Sequence, residues 1–390
     1  DYSLNMERET HEFRVTSGTQ EDSLQWIIGI FYDNLENPYQ YTYKWPGMMG
    51  YYSDGTWGGT GTAGREGIWW DLDNLREDEV KAIYGEATFA ISEKARLTVG
   101  MRKFESKLRI VAKNGYFGGF GPSYYGHDND RVEEDSGTAP KLALAYALDN
   151  GALLYMNYSE GYRPGGTNRI NKNSDAAPLY YDADQLNNIE VGYKFLSEDN
   201  TLRYNLTFYS MSWTDMQTAN FDLDLASISF NSNIGDAIIQ GLEGDVTLTT
   251  KNGVNFIAGA TILNPRLDED YVLNGVTLAN EGTRLANVPK FKGSIAINKD
   301  FDIKGLSGYW DLSLSRTGKR KSSMTNPIDQ GAYTLGNFST TMVGENWTAV
   351  FYVDNIFDTR ATIWEYQGYR PETVFTNRPR TLGLRLKYKL

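Results

Sequence analysis

The 390-residue sequence predicts an all-β fold, an antiparallel transmembrane barrel of the outer-membrane type. Three observations predict it. Apolar residues recur with period two, and the connections between such segments alternate strictly between short and long. The composition is that of strands and turns, with 27 Tyr, 9 Trp, 17 Phe and 39 Gly. A soluble sandwich has no reason to put every long loop at one end of its strands, whereas an outer-membrane barrel has short periplasmic turns and long extracellular loops. A tilted strand of roughly 9–11 residues crosses a bilayer. Closure of the sheet then pairs every backbone group in lipid.

The pattern places strands near residues 9–16, 24–33, 80–91, 94–105, 138–148, 151–161, 184–196, 200–213, 236–249, 253–264, 289–298, 307–318, 331–343, 347–358 and 379–390. The strand at 151–161 starts in GALLYM and stops in YSEGYRPGGTNR, where Pro164 lacks an N–H and Gly165 and Gly166 tolerate positive φ. In the next strand Ile189, Val191, Tyr193 and Phe195 oppose Glu190 and Lys194. Around residue 205 Leu202, Tyr204, Leu206 and Phe208 oppose Arg203, Asn205, Thr207 and Tyr209, and further on Leu242, Val246 and Leu248 oppose Glu243, Asp245 and Thr247. The last strand sets Leu382, Leu384, Leu386, Tyr388 and Leu390 against Thr381, Gly383, Arg385, Lys387 and Lys389.

The short connections are rich in Gly, Asn and Asp: SE near 92, DNG at 149–151, SED near 198, KNG at 251–253 and GEN at 344–346. The long ones cover roughly 34–79, 106–137, 162–183, 214–235, 265–288, 319–330 and 359–378. The last strand descends, which puts the C-terminus in the periplasm. Fifteen strands is an odd number, and single-chain bacterial barrels have even ones. The expectation is one barrel domain over residues 1–390, with further N-terminal strands absent from this chain.

Composition excludes several functions. A net charge of -12 without clustered Lys/Arg argues against a nucleic-acid surface. No cysteine is present, and the only histidines are His11 and His127, so thiolate and histidine metal chemistry are poorly supplied. The opening DYSLNMERE has no signal-peptide pattern, consistent with a mature or truncated chain. No cofactor or metal is expected: the DND group at 128–130, DLDNL and LDED lack full calcium-loop spacing.

Several segments, in order, resemble barrel segments of TonB-dependent outer-membrane receptors: YSEGYRPGGTN (158–168), IEVGYKF (189–195), IQGLEGDVTL (239–248), YVDNIFDTRA (352–361) and RPRTLGLRLKYKL (378–390). The opening ETHEFRVTSGTQEDSLQWIIGIFY (9–32) is similar to that family's earlier paired strands. The resemblance implies a plugged barrel of 22 strands that takes up a siderophore–iron complex, cobalamin or an oligosaccharide with energy from the TonB system. On that count about seven strands are absent from this chain, with the plug and the TonB-contacting segment. The chain departs from the family by ending at Leu390 rather than on an aromatic residue.

Candidate ligand contacts are aromatic residues of the long loops: Tyr39, Tyr41, Tyr43, Trp45, Trp57, Trp69 and Trp70 in 34–79, and Tyr116, Phe117, Phe120, Tyr124 and Tyr125 in 106–137. Their rigid faces can stack on rings or cover a sugar, although an interfacial aromatic girdle accounts for such residues equally well. Arg163 joins them at the rim. Glu190, Lys194, Arg203, Glu243 and Asp245 face the lumen or a plug by parity; ordinary polar lining is the plainer reading. Outer-membrane lipid, lipopolysaccharide and the nutrient ligand are the expected partners, with partner chains of a larger assembly as another. The rival functions are a passive porin, which needs one more strand from residues 1–8 or the first long loop, and a plugless structural component of a larger assembly. No catalytic constellation supports an enzyme.

Overall fold

The structure, a computed structural model, describes residues 2–19, 22–44, 68–117, 129–168, 178–222, 226–303, 305–325, 327–365 and 373–389. β1 (Tyr2–Leu4) and β2 (Glu7–Ser17) both pair antiparallel with β3 (Leu24–Lys44), so they are one interrupted strand. There follow β4 (Ile68–Ala90), β5 (Ala95–Phe117), β6 (Asn129–Ala147) and β7 (Leu153–Arg163). A small hairpin of β8 (Gly166–Thr167) and β9 (Tyr180–Tyr181) precedes β10 (Asp184–Leu196) and β11 (Leu202–Thr214). Next come hairpin β12 (Gln217–Asp222) and β13 (Ala226–Asn233), then β14 (Ala237–Thr249) and β15 (Val254–Leu267). The hairpin of β16 (Tyr271–Leu273) and β17 (Val276–Ala279) leads to β18 (Phe291–Ile303) and β19 (Leu306–Thr317). After β20 (Arg320–Lys321) and β21 (Asp329–Gln330) stand β22 (Tyr333–Val343) and β23 (Trp347–Asp354). Finally β24 (Thr362–Glu365) and β25 (Val374–Thr376) pair with each other as a separate two-stranded sheet before β26 (Thr381–Tyr388).

The long strands form one antiparallel sheet in chain order, from β1 and β2 to β26. With β1 and β2 counted together it has the fifteen strands that the periodicity predicts. Register aligns the period-two pattern across neighbours: Phe208 lies opposite Val191 on one side and Leu242 on the other. One face is therefore an apolar belt, with Phe208 53%, Ile262 55% and Leu384 66% exposed. Water would not tolerate so large a contiguous apolar surface, and lipid explains it.

Two expectations need correction. β3, β4, β5 and β6 run far beyond their expected ends, so much of the expected loops 34–79 and 106–137 is strand. Tyr39, Tyr41, Tyr43, Trp69, Trp70, Tyr116 and Phe117 are strand residues, not loop residues. The physical reason is that alternation marks a strand only where one face meets lipid. Beyond the belt the outward face carries charge instead of apolar residues, and pairing is sustained by backbone bonds and ion pairs: Arg109 on β5 bridges Glu77 on β4 at 2.9 Å and Asp130 on β6 at 2.7 Å. The second correction concerns residues 2–4. They extend the first strand and do not supply the additional strand a porin would need.

Among the described residues five hairpins lie in the long connections, in strands of two to eight residues that are too short to be read from periodicity. Three of these connections share an apolar core of Met216, Ile234, Leu267, Tyr271, Ala279 and Leu285, with Trp213, Val288 and Met324 packed against it.

Candidate functional site

Side chains between the apolar positions share the opposite, inner face. Glu190, Lys194, Arg203, Glu243 and Asp245 all fall there, and register sets Lys194 opposite Asn205 and Asn205 opposite Asp245. The Asn205 amide donates to both Asp245 oxygens at 2.9 Å. Lys194 Nζ stands 4.9 Å from the centre of the Tyr155 ring, and Tyr155 Oη is 3.0 Å from Thr207 Oγ1. The inner wall here is a cross-bonded polar surface, which suits a water-filled lumen.

At the long-loop end the segment Tyr158–Asn168 fastens the rim. The Arg163 guanidinium grips Asp184, donates to the Gln217 carbonyl at 2.9 Å and lies 5.5 Å from the centre of the Trp213 ring. The Asp184 side chain is 3% exposed against 49% for Arg163. Gln217 closes the knot, its amide donating to the carbonyls of Pro164 and Asp182 at 2.9 Å each. Gly165 N–H donates to Asp135 Oδ2 at 3.1 Å, and Gly166 has no room for a side chain because the Tyr181 ring covers it. Asn168 is buried and ties two loops together, giving its amide to the Asn231 carbonyl at 2.6 Å and accepting the Asn231 N–H at 2.8 Å. The Arg131 guanidinium donates to the Asn168 carbonyl at 2.5 Å.

Beneath this knot is a recess of about 210 Å³ whose lining includes Arg76, Asp78, Asp135, Arg163, Tyr181 and Gln217. Arg76 forms a two-point pair with Asp78 at 2.6 and 2.9 Å. Next along the wall, Asn74 sits opposite Tyr39 and is 1% exposed with neither amide atom bonded among the described residues. At the loop base, burial and the nearby charges of Asp236, Asp182 and Asp184 push the Asp215 carboxyl above the usual carboxylate range.

The aromatic candidates divide. The Tyr41 ring lies 4.7 Å from Tyr2 and 5.7 Å, edge-on, from Tyr39, which is itself buried. Register puts Tyr43 opposite Trp70 and Trp70 opposite Phe117, while Tyr116 falls opposite Asp71; Trp69 is the residue before Trp70 on β4. Trp45, Trp57, Phe120, Tyr124 and Tyr125 lie outside the described residues. Among the described residues no group of three or more His, Asp or Glu is placed to hold a metal ion.

The family profile described as TonB dependent receptor-like, beta-barrel, matches residues 2–356. The chain belongs to that family. The pesticin receptor of Yersinia pestis is 24% identical to this receptor barrel over 308 residues, 78% of this chain and 43% of that protein. The ferric yersiniabactin uptake receptor FyuA of Yersinia pestis superposes with a TM-score of 0.77 at 17% identity, covering 99% of this chain and 54% of that one. For the siderophore receptor PiuA of Acinetobacter baumannii the TM-score is 0.74 at 15% identity, with 99% and 56% covered. The receptor barrel thus spans about half the length of the solved receptors and less than half of the pesticin receptor. Its relatives are outer-membrane receptors and transporters, and the receptor barrel is an outer-membrane protein.

Sequence reasoning missed Asp184, Gln217 and Trp213. The only available signal was the match of YSEGYRPGGTN to the family, which marks one half of the knot and not its partners 21 to 63 residues away.

Proposed function

We propose that the receptor barrel forms part of a TonB-dependent receptor that takes up a siderophore–iron complex. Its long loops face outward and its C-terminus faces the periplasm. The observation that carries the reading is the recess beneath the Arg163 knot, where Arg76, Gln217 and Tyr181 surround a space at the mouth of the inner wall. Arg76 and Lys107 there are cationic groups of the kind that meet the anionic oxygens of a ferric chelate, and they stand beside the carboxylates of Asp78, Glu79, Glu133 and Asp135. The relatives support the same class of cargo, one being a ferric yersiniabactin uptake receptor and another a siderophore receptor. The reading requires a plug and a TonB-contacting segment supplied from outside residues 1–390, and it gives the barrel no catalytic role. Glu190, Lys194, Arg203, Glu243 and Asp245 line the route below the recess.

The test is growth on single ferric siderophores under iron limitation, with and without the gene, paired with binding by quenching of tryptophan fluorescence. Loss of growth on one siderophore is expected, with Arg76→Ala weakening its binding roughly tenfold, the usual cost of a lost charge-assisted bond. Unchanged growth on every ferric siderophore, together with free passage of small sugars in liposome swelling, would sink the reading and favour the porin.

A further inference from the structure

We propose that the lipid-facing wall of β11 to β22 carries a seat for one acyl chain of a phosphorylated glycolipid of the outer leaflet, with Arg316 holding the phosphate.

Register places Leu206, Gly244, Ala260, Gly293, Arg316 and Thr334 in one row across six adjacent strands. All six share the face of the apolar belt. The three small residues in mid-row leave a trough within a groove of about 600 Å³. One lip is Leu242, Ile262 and Phe291, each two residues along its strand toward the long loops, and Phe291 leans over Gly293. Val246, Ile295 and Leu314 stand on the other side.

Shape selects the occupant. Residues on one face of a strand recur every two positions, roughly 7 Å apart, so a trough one row wide is too narrow for a helix of about 10–12 Å diameter. An alkyl chain fits that width. From Leu206 to Arg316 the row crosses four strand spacings, roughly 19 Å.

Charge selects the head group. The row climbs as it crosses the sheet: Leu206 lies four residues after β11 begins at the short-turn end, whereas Arg316 is the penultimate residue of β19 at the long-loop end. Arg316 is exposed and its NH1 donates to Thr334 Oγ1 at 3.0 Å. Among the described residues no carboxylate lies within ion-pair distance of it, whereas Arg109, at the long-loop end of β5, is paired with Glu77 and Asp130. A guanidinium steered by one hydroxyl, at the outer end of an apolar trough, matches a phosphate at the head of an acyl chain. The outward sense of the long loops, on which the choice of leaflet rests, comes from the proposed function; the test below does not involve nutrient transport.

The intact protein, purified in mild detergent, is titrated with phosphorylated lipid A, dephosphorylated lipid A and phosphatidylglycerol, and bound lipid is read by native mass spectrometry. Arg316→Gln should weaken phosphorylated lipid A roughly tenfold and leave the dephosphorylated form unchanged. Ala260→Leu, which fills the trough, should weaken both forms, while Arg316→Lys restores part of the loss and Leu384→Phe elsewhere on the belt changes nothing. Retention of the folded, heat-modifiable band on gels shows that each variant is assembled. Equal binding by wild type, Arg316→Gln and Ala260→Leu would overturn the assignment, as would equal affinity for phosphatidylglycerol.

Discussion

At the scale of single residues, the Arg163–Asp184 pair is unequal, and its two halves should respond differently to removal. Asp184 is buried and Arg163 half exposed, so Arg163→Met leaves a buried carboxylate with the Gln217 N–H as a remaining donor, whereas Asp184→Asn leaves an arginine that water can reach. Arg163→Met should cost on the order of 3 kcal/mol and Asp184→Asn distinctly less, read from urea unfolding in lipid vesicles. Gly192 is constrained by close approach: the Tyr155 ring of the neighbouring strand lies where its Cβ would be. Asp215 supplies a pH test. Its folded-state pKa is raised, so the charged form is penalised in the folded loop, and that penalty disappears as pH falls through the folded value. Asp215→Asn should raise the protection factors of residues 215–222 at pH 7, with exchange corrected for its intrinsic rate, and remove the gain in protection that the wild type shows as pH falls. Of this site, the sequence disclosed Arg163 but not its use. The residue is identifiable within YSEGYRPGGTN, yet its commitment to Asp184 and Trp213 depends on register between three strands, which no local pattern encodes.

Elements were legible in proportion to their contact with lipid. β10 spans Asp184–Leu196, the predicted range, because Ile189 and Val191 face lipid while Glu190 and Lys194 do not. β4 was read only from residue 80, since IWWDLDNLRED above it carries charge on both faces. Short turns were legible from their chemistry. In the turn after β10, Asp199 accepts from Ser197 Oγ at 2.7 Å and from the Thr201 N–H at 3.1 Å, while Asn200 takes a left-handed φ of 56°. These bonds hold the Asp199 carboxyl below its ordinary 3.8. A depressed folded-state value means that the stabilisation is complete above the unfolded value and fades as pH drops below it toward the folded one. Asp199→Ala should therefore speed exchange of the Thr201 amide at pH 7, and the difference from wild type should vanish in strong acid.

For the whole molecule, the belt decides solvent and assembly. Leu384 is among its most exposed members, and Leu384→Arg should cost roughly 2–4 kcal/mol if it lies at mid-bilayer, measured as reduced folding into vesicles, whereas Arg385→Leu on the inner face should have little effect on insertion. The mouth follows a different logic. Met216 and Ile234 come from one long connection and Leu267, Tyr271 and Leu285 from the next, with Met324 of a third packed against them, yet they pack as one, and the Tyr271 hydroxyl is 3.0 Å from Ser232 Oγ. Such a mouth cannot be exchanged piecemeal. Grafting a single one of these connections from another receptor would strand its apolar residues against foreign neighbours, while a graft of all three together carries its own interior with it. Inherited change in what the mouth admits should accordingly arrive in linked blocks of substitutions rather than loop by loop.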